Sequence, residues 1–81
     1  MDTNLLYARR AALARAIRSA RLEHNLTQAE VSTALDVPQS WVSNVESGAR
    51  RLDAAELMAL APVLGVSTLD LITSMEIADT K

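Results

Sequence analysis

The fold is decided by residues 26–48, which read LTQAEVSTALDVPQSWVSNVESG. At the start of this stretch, the side chain of Thr27 can accept a hydrogen bond from the backbone while the carboxylate of Glu30 reaches back to the backbone of Thr27. Such a reciprocal pair, followed by an apolar residue, is typical of the first turn of a helix. The pattern predicts a helix over about residues 28–35.

The second part of the same stretch predicts another short helix with two different faces. Pro38 suits its first turn, where a backbone N–H would have no helical partner, and Gly48 suits its end. Val42 and Val45 lie on one side at a spacing of three. The opposite side carries uncharged polar residues, namely Gln39, Ser40, Ser43 and Asn44. Two short helices joined by a tight corner form a helix-turn-helix, here over about residues 27–48.

Similar signals predict three further helices outside that stretch. Residues 5–24 carry an apolar stripe at helical spacing in an alanine-rich segment. The capping pattern recurs at Asp53 and, more weakly, at Ser67, and it predicts helices over about residues 54–64 and 68–76. The chain is therefore expected to be all-α, with five helices in a single domain that covers all 81 residues.

Several residues are expected to end these helices. Asn25 and Asp36 have short polar side chains that tolerate the left-handed backbone conformation, and Gly48 and Gly65 adopt it without a side chain. Pro62 lies inside the fourth helix, where it removes a backbone donor, and it is expected to kink the last turn. These signals predict short corners rather than long loops.

Composition excludes several classes of function. The chain has no cysteine, which excludes disulfides, thiol nucleophiles and cysteine-ligated zinc. His24 is its one histidine and cannot join a second imidazole at a metal site. No apolar run is long enough to span a bilayer, and no secretory leader opens the chain. We expect a cytoplasmic protein that is not an enzyme and that uses no metal, cofactor or small-molecule ligand.

The net charge of −2 hides an asymmetry along the chain. Residues 1–51 contain seven arginines and five acidic residues, a balance of +2. Residues 52–81 contain Lys81 and five acidic residues, a balance of −4. A basic half beside an acidic half suggests that one face meets a polyanion. An ordinary solvated helix surface would show the same distribution, so charge alone does not decide.

The quoted stretch resembles the Cro and lambda-repressor-like (XRE-type) helix-turn-helix regulators. The resemblance rests on LTQAEV at residues 26–31, the corner at 35–37, VSNVESG at 42–48 and LAPVLGV at 60–66. It extends over roughly residues 16–72. It implies a compact bundle of five helices, the third of which enters the major groove of double-stranded DNA. Asp36 stands where this family often has glycine.

The resemblance also implies which residues contact DNA. Gln39, Ser40 and Asn44 match the positions that face base edges, and Ser43 lies beside them. Amide side chains suit adenine, since they can bond its N6 and N7 atoms together. The positions implied to contact the DNA backbone are Gln28 with the capping residue Thr27, and the basic-loop residues Arg50 and Arg51.

Four other residues are assigned separately, and one of them, Trp41, has two interpretations. Trp41 either covers the edge of the core or lies against the DNA backbone and donates its indole N–H to a phosphate. Arg18 is the best candidate among the arginines of the first helix for a contact to the DNA backbone. Arg21 and Glu46 match a pair that forms an internal salt bridge in this family, and we assign both to structure.

The segment over about residues 67–77 is expected to form a homodimer interface. It is more apolar than one helix can bury in so small a core, and a two-fold dimer buries the same patch on both copies. The residues concerned are Leu69, Leu71, Ile72, Met75 and Ile77. The alternative is that this segment folds back onto the first helix. Leu5, Leu6 and Tyr7 are a second candidate surface.

These expectations describe a sequence-specific transcriptional regulator. A homodimer would bind a near-palindromic operator and act as an autoregulatory repressor of the phage-repressor, restriction–modification controller or antitoxin type. The alternative is a helix-turn-helix used only to bind protein, such as a toxin that it neutralises. An enzyme is a distant third possibility, since no motif fixes a nucleophile near His24.

Overall fold

Five helices account for most of residues 1–77, the part of the chain that the computed structural model describes. In chain order they are α1 (Thr3–Glu23), α2 (Gln28–Leu35), α3 (Gln39–Ser47), α4 (Ala54–Val63) and α5 (Thr68–Ile77). Residues 1–77 contain no β-strand. The predicted all-α architecture of five helices is confirmed.

The starts of α2 and α4 are fixed by the predicted capping pairs. The backbone N–H of Glu30 donates to Oγ1 of Thr27 over 3.0 Å, and the N–H of Thr27 donates to Oε1 of Glu30 over 2.9 Å. The corresponding distances at Asp53 and Glu56 are 2.7 and 3.0 Å. These hydrogen bonds lower the pKa of both glutamates, since the bond from the capping residue's backbone stabilises the ionised carboxylate.

Left-handed residues end the helices where the sequence predicts them. Asn25 and Asp36 both have a φ of 56°. Asp36 closes α2, and the backbone N–H of Val37 reaches the carbonyl of Ser32 over 3.0 Å. Gly65, with a φ of 73°, follows α4 beneath the imidazole of His24. An added Cβ at this glycine would lie 2.7 Å from Nε2 of the histidine, so any other residue would need both the left-handed conformation and a shift of the imidazole.

Four boundaries differ from the prediction by one or two residues, namely both ends of α1 and the ends of α4 and α5. Helix α1 begins at Thr3 rather than near residue 5, because Asp2 caps it by accepting a hydrogen bond from the N–H of Leu5 over 3.2 Å. Helix α4 ends at Val63, one residue after Pro62. The proline lacks the N–H that would bond to the carbonyl of Met58, and the helix ends one residue after it.

The core lies where α1, α4 and α5 meet the helix-turn-helix. Its most deeply buried large side chains are Ile17, Val31, Val42, Leu60 and Leu64. Burial of side chains of this kind contributes about 1.5–3 kcal/mol each relative to exposure. Helices α2 and α3 place Val31, Val42 and Val45 in this core, so the motif is held by the packing of α2 on α4 and of α3 on α1 as well as by the interface between its own two helices.

Among the described residues, no single helix is long and apolar enough to cross a membrane. Helices α4 and α5 meet the criterion of length and composition only when taken together, and they are bent by 114° at their junction.

Candidate nucleic-acid interface

Helix α3 has one buried face and one solvent-facing polar face. Val42 and Val45 are 2% and 3% exposed and anchor the helix to the core. The predicted base-contacting residues Gln39, Ser40 and Asn44 are all exposed, and Ser43 is half-buried beside them. This arrangement presents a short row of uncharged hydrogen-bonding groups to solvent on a helix whose opposite face is buried in the core.

A polar network fixes α3 relative to α1 and α2. Nε and Nη2 of Arg21 donate to the two carboxylate oxygens of Glu46 over 2.6 and 2.9 Å. The side chains of this pair are only 10% and 5% exposed. Nη1 of the arginine also donates to the backbone carbonyl of Leu26 over 2.8 Å. Hydrogen bonding to Glu46 raises the pKa of Arg21 and outweighs the opposing effect of burial.

Gln28 belongs to the same network. Its Nε2 donates to Oε1 of Glu46 over 3.2 Å, so the amide is held beside α3 at the start of α2. An amide nitrogen carries two hydrogens, and the second remains available to a ligand. The residue predicted to contact phosphate is therefore oriented by the same carboxylate that neutralises Arg21. The sequence pattern does not reveal this link, because the two residues lie 18 positions apart.

Trp41, Arg50 and Glu56 form a second connection, between α3 and the following loop. The guanidinium of Arg50 lies over the indole ring at 5.3 Å from the centroid, and its Nη2 donates to Oε2 of Glu56 over 2.6 Å. The backbone N–H of Arg50 also donates to the carbonyl of Asn44 over 3.0 Å. Trp41 is half-buried and packs against the core. The interpretation of Trp41 as a core-edge residue therefore describes its position in this structure.

This second connection changes the expectation for Arg50. Sequence reasoning made it a free phosphate ligand, whereas its guanidinium already contacts a carboxylate and an aromatic ring. It can reach a phosphate only with its remaining donors. Arg51 and Arg18 are exposed, and neither forms an ion pair with another described residue. These two arginines are therefore better suited to a phosphate, and Thr27 is exposed at the start of α2.

The predicted dimer residues do not share one environment. Leu71 is 3% exposed and belongs to the core, so its assignment to an interface was wrong. It was misassigned because α5 packs against both α1 and α4, and Leu71 belongs to the core cluster that these helices share. The alternative in which the segment folds back onto α1 therefore holds for this residue. Leu69 and Ile72 remain 69% and 40% exposed.

The other residues of the two candidate dimer surfaces vary in exposure. Met75 is half-buried, and the side chain of Ile77 lies outside the described part of the chain. Leu5 and Leu6 are half-buried, whereas Tyr7 is 62% exposed. Residues 1–77 contain no cluster of three or more histidine, cysteine, aspartate or glutamate side chains that could hold a metal ion.

Comparison with known proteins supports the geometry. The helix-turn-helix family model HTH_3 matches residues 17–71. A solved XRE-family like protein from Pseudomonas syringae pv. tomato is 36% identical, with a TM-score of 0.79 over 86% of this chain and 85% of the other. The clp gene regulator ClgR from Corynebacterium glutamicum is 27% identical, with the same TM-score over 86% of this chain and 74% of its own. No curated protein matches the chain.

Proposed function

The chain belongs to the XRE-type, lambda-repressor-like helix-turn-helix family, and we propose that it is a transcriptional regulator that recognises a DNA sequence with α3. The observation that carries this proposal is the exposed polar row of α3 above a buried valine face. A helix of nine residues is about 13 Å long, which suits the major groove. One of the similar proteins is described as a gene regulator.

Base recognition is assigned to Gln39, Ser40, Ser43 and Asn44. The two amides can each bond N6 and N7 of an adenine, and a good bidentate contact discriminates by about 1–3 kcal/mol against the wrong base. The serine hydroxyls are less selective. We therefore expect adenine in the bound half-site opposite Gln39 and Asn44.

Attachment to the DNA backbone is assigned to residues around this row. Gln28 has one amide hydrogen left for a phosphate, and Thr27 lies beside it. Arg51 and Arg18 are exposed guanidinium groups. Each phosphate neutralised steepens the dependence of log affinity on log salt by about 0.9. Arg50 and Trp41 position the loop, and the N–H groups that their stacking leaves unpaired can also donate to a phosphate.

A homodimer is the second part of the proposal. One helix that reads a few base pairs cannot select a unique site, and two recognition helices separated by about 34–36 Å can read a near-palindrome. Leu69 and Ile72 are the exposed apolar residues of α5 that such a dimer would cover, together with the less exposed Met75. Ile77 completes this set as an expectation from the sequence alone.

Autorepression is the third part of the proposal. A dimer bound over a promoter blocks polymerase sterically, and dimerisation makes occupancy depend on the protein's own concentration. Regulators of phage, restriction–modification and antitoxin type work in this way. The signal would then be the amount of the protein.

A selection of genomic DNA fragments by the purified protein at about 0.1 M salt tests the proposal, followed by titrations of the selected site at several salt concentrations. We expect an enriched near-palindrome with half-sites one turn apart. The Gln39→Ala, Asn44→Ala double variant should lose preference for that site, by about 10-fold or more. The matched control is Asn4→Ala, an exposed amide at the start of α1.

Absence of any enriched sequence would overturn DNA recognition. If the protein instead captures a specific protein partner, and the Gln39→Ala, Asn44→Ala variant captures it equally well, the chain belongs to the class that uses this fold only for protein binding. If the selected site is not palindromic and is bound by one copy of the protein, the homodimer is overturned, whereas the assignment of DNA recognition to α3 stands.

A further inference from the structure

Glu56 is an acidic residue to which the proposed function gives no role. It lies at the start of α4, where its Oε1 accepts a hydrogen bond from the backbone N–H of Asp53 over 3.0 Å. Its other oxygen, Oε2, accepts a hydrogen bond from Nη2 of Arg50 over 2.6 Å. Because the capping contact orients the carboxylate independently of the arginine, the ion pair costs less side-chain freedom than an ordinary exposed pair.

Arg50 is connected to α3 at two points. Its backbone N–H donates to the carbonyl of Asn44 over 3.0 Å, and its guanidinium lies 5.3 Å from the centroid of the Trp41 ring. Both partners belong to α3, and Asn44 is one of the residues assigned to base contact. Glu56 therefore acts on α3 through the side chain of Arg50, since its carboxylate holds the guanidinium over the indole.

The same carboxylate competes with DNA for the guanidinium. Arginine binds a phosphate most strongly when two parallel N–H groups donate to it, and one nitrogen of Arg50 already donates to Glu56. The side chains of Arg50 and Glu56 are 41% and 29% exposed, and a pair of this exposure is weak enough for a phosphate to displace the carboxylate. Glu56 thus sets how fully the charge of Arg50 is available to DNA.

We propose that Glu56 is a specificity-determining residue, which keeps Arg50 as a support of α3 and limits its contact with DNA phosphates. This inference rests on the proposed function. Phosphate contacts carry no sequence information, so a guanidinium that is withheld from them lowers the affinity for every DNA sequence. Support of α3 favours only the selected site, because amides discriminate between bases only when their positions are fixed. The ratio of specific to non-specific affinity rises as a result.

Glu56→Gln tests the proposal, with Glu30→Gln as the matched control. Both glutamates complete a capping pair, and glutamine can keep the capping bond. The carboxylate of Glu30 contacts the capping residue Thr27 rather than an arginine. The two variants therefore remove the same charge from equivalent positions and differ in the release of Arg50.

The measurement is DNA affinity at several salt concentrations, for the selected operator and for a duplex of unrelated sequence. We expect Glu56→Gln to bind the unrelated duplex about fivefold more tightly at about 0.1 M salt. The slope of log affinity against log salt should steepen by about 0.9, the value for one phosphate, whereas Glu30→Gln should leave it unchanged. The affinity for the operator should rise by less, so the specificity ratio falls.

A double-mutant cycle shows whether the effect depends on Arg50. In the Arg50→Gln background, Glu56→Gln should no longer change the salt slope, because the guanidinium that it releases is absent. Trp41 is the one tryptophan of the chain, and its fluorescence gives a readout without DNA. Quenching of this fluorescence by acrylamide should increase in Glu56→Gln and in Arg50→Gln, and remain unchanged in Glu30→Gln.

Circular dichroism shows whether each variant is folded. If Glu56→Gln does not fold, Arg50→Gln alone decides. On the proposal, Arg50→Gln lowers the salt slope for the unrelated duplex by less than half of about 0.9, since a withheld guanidinium neutralises little phosphate. A loss of the full value would overturn the proposal.

Two results would overturn the proposal while the proposed function stands. In the first, the parent selects its operator and Glu56→Gln has the same salt slope as Glu30→Gln. In the second, Glu56→Gln raises the affinity for the operator and for the unrelated duplex equally. Failure of the parent to select any sequence would instead refute the proposed function, and the role in specificity with it. The quenching of Trp41 would then still show whether Glu56 holds Arg50 over the ring.

Discussion

Removal of one member of the Arg21–Glu46 pair should destabilise the fold far more than removal of both. Glu46 accepts two hydrogen bonds from Arg21 and one from Gln28, and its side chain is 5% exposed. Glu46→Leu would leave a buried guanidinium with the carbonyl of Leu26 as its remaining partner. An uncompensated buried charge of this kind costs about 3–5 kcal/mol. Typical stabilities of 0.05–0.15 kcal/mol per residue give roughly 4–12 kcal/mol for this chain.

Replacement of both members should restore stability. Arg21→Met with Glu46→Leu fills similar volume with apolar side chains, and such replacements of buried pairs are neutral or stabilising. We expect each single variant to lower Tm by more than about 12 °C and the double variant to melt within a few degrees of the parent. Arg15→Met, at an exposed position of the same helix, is the control and should change stability by less than about 0.5 kcal/mol.

Thermal and urea unfolding of the four proteins measure this cycle. A single variant that loses less than about 1 kcal/mol would refute the reasoning, since that is the value of an exposed pair. A double variant that loses as much as the sum of the singles would refute it as well. The folded double variant also gives a functional readout. It should bind DNA more weakly than the parent, because nothing then holds the amide of Gln28 beside α3.

Three further predictions concern pH, the role of α5 and a corner. The pKa of Glu30 is lowered in the folded chain, so the ionised carboxylate stabilises the fold at pH values above its ordinary pKa of 4.5. This stability is lost as the pH falls through the lowered pKa, and Glu30→Gln should therefore flatten the acid side of a stability–pH curve. Leu71→Ala should cost about 2–5 kcal/mol in urea unfolding, whereas Leu69→Ala should leave stability nearly unchanged and weaken self-association in sedimentation. Gly65→Ala should destabilise more than Gly48→Ala in the same assay, because only the former adds a contact at 2.7 Å to a left-handed backbone.

Local signals predicted the helices well, and long-range contacts explain the differences. The reciprocal pairs at Thr27 and Asp53 lie within four residues of chain, and the structure contains both. The start of α1 was placed too late because Asp2 caps it without a glutamate three residues later to complete the pattern. Leu71 was misassigned because periodicity identifies an apolar face but not which neighbouring helix covers it.

The candidate site divides in the same way. Exposure of Gln39, Ser40 and Asn44 follows from the spacing of the valines on the opposite face. The partners of Arg50 do not follow from spacing, because Trp41 and Glu56 lie on either side of a loop whose path the sequence does not specify.

The charged residues around α3 are arranged so that they support its uncharged polar face. Exposed amides discriminate between bases only when their positions are fixed, because one flexible helix could satisfy several sequences with similar energy. Helix α3 is held at its buried face by two valines, at its end by Glu46 bonded to Arg21, and through Trp41 by the stack with Arg50. Two of the seven arginines are thereby directed to internal partners. On the proposed function, charge that could have increased non-specific DNA affinity instead orients the surface to which base recognition is assigned.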